Sequence, residues 1–170
     1  MLPPQPNSGA TPLGPQPPLA LQQLVSELRA IDAPRVRTAL VALSPAAAVL
    51  APGWATMLEL DAQHLGQAVA AQARADGAPD VGIGRAADLL AHVRRLLPTP
   101  DRHAPPPGGV WLRGLDLLLA KLDEDQRALC WQGLRHELPH LPPLVLALPA
   151  ALATRFGPAA SVWPTRQLAL

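Results

Sequence analysis

The chain has 170 residues, of which 49% are hydrophobic and 16% are charged, a balance that excludes an intrinsically disordered protein. Fourteen basic and thirteen acidic residues give a net charge of +1, which argues against a strongly electrostatic nucleic-acid binder. The single cysteine, Cys130, excludes an internal disulfide and a cysteine-based zinc cluster.

Residues 1–18 are predicted to form a disordered, Pro-rich tail, and residues 19–170 to form a single domain. The tail has no charged side chain, and it lacks the basic start and the continuous apolar stretch of a secretory signal. Its PxxP-like segments, Pro3 to Pro6 and Pro12 to Pro15, leave open a role as a docking segment.

The segment 38–58 contains 21 residues without a charge, which is long enough to cross a bilayer. Pro45 and Pro52 would break the helical hydrogen bonding that a membrane interior demands. We therefore expect no membrane partner and a cytoplasmic protein, with a buried strand, a turn and a second strand over this segment.

Apolar spacing predicts helices alternating with short strands along the rest of the chain. Asp123 is expected to cap one helix, with Gln126 as its capping-box partner. The Pro-rich stretch 98–109 is predicted to be a loop. The segment between Pro45 and Pro52 is predicted to be either one or two helical turns or a loop. The other predicted helices are 19–31, 62–75, 85–97 and 150–156. The predicted strands are 36–43, 56–60, 110–112 and 144–148, and the segment 162–170 is predicted to be extended.

This alternation predicts an α/β fold, in which a parallel sheet carries helices on both faces in three layers. An all-α bundle is the alternative, because Ala and Leu favour helix in every segment.

The turn after the first predicted strand lacks the chemistry of a phosphate loop. Such a loop exposes backbone N–H groups of glycines to phosphate and places a Lys against the terminal phosphates. Here the turn reads Ser44-Pro45-Ala46-Ala47-Ala48, without Lys or Gly, and Pro45 removes one N–H donor.

The order and length of the elements over 36–170 resemble small P-loop proteins of bacterial phage-exclusion (BREX) gene clusters, the BrxF type. A similar pattern occurs beside the ATPase modules of STAND-type defence proteins. The resemblance puts Arg113 where the family has a metal-binding Asp, at the end of the strand 110–112, and it matches Asp116 to a later acidic residue. It therefore implies a degenerate P-loop fold that has lost hydrolysis. From the residues alone, Arg113 is instead an exposed strand-end side chain paired with a carboxylate such as Asp116.

Other patterns are weaker. His136-Glu137 with His140 gives an H-E-x-x-H spacing, but Pro139 interrupts the helix that zinc binding would need. Cys130 lies on an apolar helix face and is expected to be a packing residue. Arg94 and Arg95 belong to a modest basic patch with Arg102 and His103, which leaves nucleic-acid contact open.

The sequence thus predicts a non-catalytic binding or assembly subunit with a protein partner, in bacterial anti-phage defence if the resemblance holds. No cofactor and no metal are expected. The alternatives are a divergent nucleotide-binding ATPase and a weak nucleic-acid-binding protein. The candidate interaction residues are Trp111, Arg113, Asp116, Trp163, Arg94 and Arg95.

Overall fold

The computed structural model describes residues 14–30, 37–78, 80–97, 108–136, 142–159, 163 and 166–170. Within these residues five strands pair in parallel to form one sheet, in the order β2-β3-β4-β1-β5. The strands are β1 (Thr38–Leu43), β2 (Asp61–His64), β3 (Val110–Arg113), β4 (Leu144–Pro149) and β5 (Gln167–Ala169).

Helices cover both faces of this sheet and give the three layers that the sequence predicts. One face is covered by α1 (Leu19–Arg29) and α2 (Pro45–Met57). The opposite face is covered by α3 (Leu65–Ala75), α4 (Ala86–Leu96), α5 (Asp116–Leu119), α6 (Glu124–His136) and α7 (Ala150–Phe156). We call these the α1/α2 face and the α3–α7 face. The α/β prediction is confirmed, and the all-α alternative is wrong.

Two hydrophobic clusters, one on each face, form the core. Successive residues of a strand point to opposite faces. In β4, Val145 packs into the cluster beneath α1 and α2, whereas Leu144 and Leu146 pack into the cluster beneath α3–α7. Every strand residue from Leu144 to Leu148 is buried, which explains its continuous apolar sequence.

The predicted strand over 56–60 is wrong, because the Ala-rich segment before it continues as a 13-residue helix, α2. Ala47, Ala51, Trp54 and Ala55 form its buried stripe at helical spacing. The helix accommodates Pro52 because this residue lies on the exposed side, where water can solvate the carbonyl group that loses its hydrogen bond.

The predicted helix over 62–75 begins only at Leu65, since Asp61–His64 forms the strand β2. This strand lies at the edge of the sheet and pairs only with β3, so its side chains are exposed or half-buried. A polar edge strand lacks the apolar sequence by which the buried strands are recognised. The sequence also favours Asp61 as the residue that caps this helix, but the cap is His64, whose side chain accepts the N–H of Gln67.

Asp123 caps α6 as predicted, because its Oδ1 accepts a hydrogen bond of 2.8 Å from the Gln126 N–H. The capping-box role of Gln126 is wrong. Its Oε1 accepts a hydrogen bond of 2.8 Å from the N–H of Ala86 and so ties α6 to the start of α4.

Residues 14–18 lie against the α1/α2 face. The Nε1 of Trp54 donates to the carbonyl of Pro15 at 3.0 Å, and Gln22 donates to the carbonyl of Pro17 at 2.7 Å. The rest of the predicted tail, 1–13, and most of the predicted loop, 98–107, lie outside the described residues. No described helix is both long enough and apolar enough to cross a membrane.

Burial should make the Cys130 thiol unreactive. The side chain is fully buried, and this burial raises its pKa to about 12. The thiolate is the reactive form, and a pKa raised this far leaves almost all of the thiol protonated at about pH 8. We expect Ellman's reagent to label the native protein negligibly within minutes and to label one thiol in guanidinium. Rapid labelling of the native protein would contradict this burial.

Candidate functional site

The candidate site lies at the edge where the carboxyl ends of the parallel strands meet. The connection after β1 runs over the α1/α2 face through α2, whereas the connection after β4 runs over the α3–α7 face through α7. Because β1 and β4 are neighbours, the sheet has a topological switch point between them. Open α/β sheets bind ligands in the crevice at such a point. Ser44 follows β1 here, and Pro149 ends β4.

The passage from β1 into α2 leaves no room for a phosphate loop. A single residue, Ser44, separates the strand from the helix. The Oγ of Ser44 accepts the N–H of Ala47 at 3.3 Å, and its carbonyl accepts the N–H of Ala48 at 2.9 Å. Pro45 has no N–H. Three of the four backbone positions that open α2 therefore have no N–H to offer an anion.

The carboxyl end of β3 carries Arg113, which is exposed, followed by Gly114 and then by Asp116, the first residue of α5. Gly114 has a φ of +75°, so the chain turns sharply out of the sheet here. Within the part of the chain that the structure describes, Arg113 forms no ion pair with Asp116. Both residues lie at the carboxyl edge of the sheet.

Sequence reasoning missed His64, which lies beside these residues. In the pairing of β2 with β3, His64 is directly opposite Arg113. Its Nδ1 accepts the N–H of Gln67 at 3.3 Å, and its ring covers Gly114 so closely that a Cβ there would lie 2.2 Å from Cε1. Only strand register brings His64 and Gly114 together, so no local sequence signal could have shown the contact.

The two tryptophans among the candidates belong to the core and offer no contact surface. Trp111 is fully buried beneath α1 and α2, and its Nε1 has no hydrogen-bond partner within the described ranges. Trp163 is 2% exposed, and its Nε1 donates to the carbonyl of Trp131 at 3.2 Å. The indole rings of Trp163 and Trp131 meet edge to face, with their centroids 5.5 Å apart.

Arg94 and Arg95 are exposed in the last turn of α4, which ends before β3 begins. This end of the helix lies toward the amino ends of the strands. Arg94 and His136 line a groove of about 440 Å³ between α4 and α6. The structure therefore does not bring Arg94 and Arg95 together with Arg113 and Asp116. Glu137 and His140, the other members of the H-E-x-x-H pattern, lie outside the described residues.

A second, polar crevice of about 210 Å³ between α3 and α4 already contains opposite charges. The ammonium group of Lys121 lies 2.9 Å from Asp80 and lowers the pKa of that carboxyl group. Across the crevice, burial and the nearby Arg95 lower the pKa of His92. These groups are balanced, and we see no single-sign site for an ion.

The carboxyl edge thus offers one imidazole, one guanidinium and one carboxylate from His64, Arg113 and Asp116. Among the described residues, no three His, Cys, Asp or Glu side chains come together as a metal site. Such an edge can form hydrogen bonds and ion pairs with another molecule. The described residues at this edge form neither a cradle of backbone N–H groups for phosphate nor a carboxylate cluster for a cation.

By fold, the chain is a three-layer protein with a parallel α/β sheet. Comparison with protein-family models, with curated proteins and with solved structures gives no match.

Proposed function

We propose that the chain is a non-catalytic binding or assembly subunit with a degenerate P-loop-like fold. The observation that carries this proposal is the direct passage from β1 into α2. A P-loop follows the carboxyl end of a strand and opens a helix. Here Ser44 alone fills this position, and its hydroxyl and carbonyl groups accept the N–H groups of Ala47 and Ala48.

The end of β3 supports the same proposal, because the resemblance puts the metal-binding carboxylate of a nucleotide site at this position. Phosphoryl transfer uses a carboxylate to hold Mg²⁺ against the phosphates. The exposed guanidinium of Arg113 is positively charged, unlike the carboxylate that it replaces, and would repel the ion. The phosphate turn and the metal position are thus both changed, at two strands of the same sheet edge. Placement in bacterial anti-phage defence follows from the resemblance to BrxF-type proteins and forms part of the proposal.

Nucleotide binding tests this proposal directly. We expect calorimetric titration with ATP and Mg²⁺ to give no binding tighter than about 1 mM, because neither phosphate nor metal finds a partner. The Arg113→Asp variant is the matched control. It removes the repelling charge, yet without a phosphate loop it should bind no better than the wild type.

Micromolar binding by the wild-type protein, or ATP hydrolysis that Arg113→Ala abolishes, would instead show a divergent ATPase. Salt-dependent binding of a DNA duplex that weakens in the Arg94→Ala, Arg95→Ala double variant would show the nucleic-acid alternative. Either result would overturn the proposed function.

A further inference from the structure

A groove of about 390 Å³ lies between α6 and α7, on the α3–α7 face. The charged and aromatic side chains that line it are Glu124, Arg127, Trp131, Arg155 and Phe156, and we call it the Phe156 groove. The carbonyl of Phe156 accepts a hydrogen bond of 2.7 Å from the Nε1 of Trp131, which ties the end of α7 to α6. Ligand sites have volumes of about 300–1,000 Å³, so the groove is large enough to hold a side chain of another molecule.

Two guanidinium groups of this groove lie beside one aromatic ring. The Cζ of Arg127 is 5.3 Å from the centroid of the Phe156 ring, and the Cζ of Arg155 is 5.2 Å from it. The ring attracts both cations, but it carries no net negative charge that would neutralise them. Two like charges are therefore held close to each other at the groove.

The charges of the lining do not balance. Within the part of the chain that the structure describes, neither Arg127 nor Arg155 forms an ion pair. Arg127 is half-buried and donates to the carbonyl of Leu122, which fixes its side chain, whereas Arg155 is exposed. Glu124 is the one carboxylate among the described lining residues, so the groove has a net charge of +1. One negative charge from a ligand would neutralise it.

The uncharged part of the lining favours a carboxylate over a phosphate. Phosphate sites commonly use backbone N–H groups. At the end of α7, the N–H of Gly157 already donates to the carbonyl of Ala153 at 2.8 Å, and Pro158 has no N–H. The planar fork of an arginine matches a carboxylate without help from the backbone. Ala128 and Ala159 also line the groove, and they suit apolar groups next to the carboxylate.

We propose that the Phe156 groove binds one acidic side chain, Glu or Asp, in an otherwise apolar segment of a partner protein. The carboxylate of that side chain accepts hydrogen bonds from Arg127 and Arg155, and its apolar neighbours pack against Phe156. Recognition of acidic motifs by arginine clusters is a recurrent mode of peptide binding. This inference rests on the proposed function, for which it names the chemistry of the partner.

Titration of the ¹⁵N-labelled full chain with two capped peptides tests this proposal. The first is an acetylated, amidated pentapeptide with one Glu between two Leu and an Ala at each end, and the second has Gln in place of Glu. We expect the Glu peptide to shift the amide signals of residues 127–128 and 155–157, with a Kd of about 0.1–1 mM because the contact is small. The Gln peptide should bind about fivefold more weakly, since it loses the charge-assisted hydrogen bonds.

Three variants of the protein locate the binding charge. Arg155→Gln removes an exposed guanidinium, so it should keep the wild-type unfolding temperature and weaken the Glu peptide by about three- to fivefold. Arg127→Gln should weaken it by at least as much, but it also removes the contact with Leu122. Arg74→Gln is the matched control, because it removes the same charge from an exposed position in the last turn of α3 and should leave binding unchanged.

Equal binding of the Glu and Gln peptides would overturn the proposal, as would unchanged binding in Arg155→Gln or an equal loss in Arg74→Gln. The absence of saturable shifts at millimolar peptide would also overturn it. Sodium acetate that gives the same shifts with the same affinity would show that the groove takes any anion and not an acidic segment. Failure of the proposed function would instead be seen as nucleotide-dependent shifts at residues 44, 46–48 and 113–116, so the two failures can be told apart.

Discussion

Replacement of Gly114 by Val is expected to destabilise the protein by about 2–5 kcal/mol. A side chain at φ +75° costs about 1–2 kcal/mol, because its Cβ meets the backbone. The new Cβ would also lie 2.2 Å from Cε1 of His64, and overpacking of this kind typically costs about 1–3 kcal/mol. Chemical denaturation of the purified variant measures the loss, which should lower the Tm by roughly 5–15 °C.

A double-mutant cycle with His64→Ala separates these two causes. Removing the imidazole ring eliminates the overlap but not the backbone strain, so the two substitutions should couple by about 1 kcal/mol or more. Gly84→Ala is the control, because a Cβ there meets nothing within 4 Å and its effect should stay within about 0.5 kcal/mol. Additive effects would mean that the His64 ring does not lie over Gly114.

Trp131→Ala is expected to cost about 3–5 kcal/mol, the range for removing a large aromatic side chain from a core. The ring is 2% exposed and lies edge to face with Trp163. Its Nε1 donates to the carbonyl of Phe156 at 2.7 Å, which holds the end of α7 against α6. The substitution removes this bond and opens a cavity between the two helices. Urea unfolding measures the loss, and a cost below about 1.5 kcal/mol would contradict this packing.

Comparison of Trp131→Phe with Trp111→Phe measures the contribution of the hydrogen bond from Trp131 to the carbonyl of Phe156. Trp131 and Trp111 are both almost completely buried, but among the residues that the structure describes only the Nε1 of Trp131 has an acceptor. Trp131→Phe leaves the carbonyl of Phe156 without its donor, whereas Trp111→Phe removes a buried N–H that is already unpaired. We expect Trp131→Phe to be the more destabilising by about 1–2 kcal/mol. The reverse order would show that Trp111 has a partner.

The buried parts of the fold could be predicted from sequence, and the exposed parts could not. Continuous apolar runs identified β1 and β4 because both strands are covered on both faces. The edge strand β2 has the polar sequence DAQH, which resembles the first turn of a helix as much as a strand. The full length of α2 was missed for a different reason, since only short helical turns between Pro45 and Pro52 stood as an alternative to a loop. Its two prolines indicate breaks, but Pro45 lies at the first helical position and Pro52 on the exposed side.

The candidate site could likewise be predicted only in part. The absent phosphate loop and the charge of Arg113 could be read directly, since each depends on the residue type at one position. The position of His64 over Gly114 could not be read, because it depends on the register between β2 and β3. Burial decided the role of Trp111 and Trp163. A tryptophan is as typical of a core as of an interface, and its sequence neighbours did not separate the two roles.

We propose that the carboxyl edge of this sheet does not hold a nucleotide. Residue-resolved titration of the ¹⁵N-labelled protein with ATP and Mg²⁺ tests it most directly. We predict that the amide signals of residues 44 and 46–48 and of residues 113–116 remain unshifted at millimolar nucleotide. Saturable shifts confined to these two segments would show that the start of α2 binds phosphate after all, and would contradict the account.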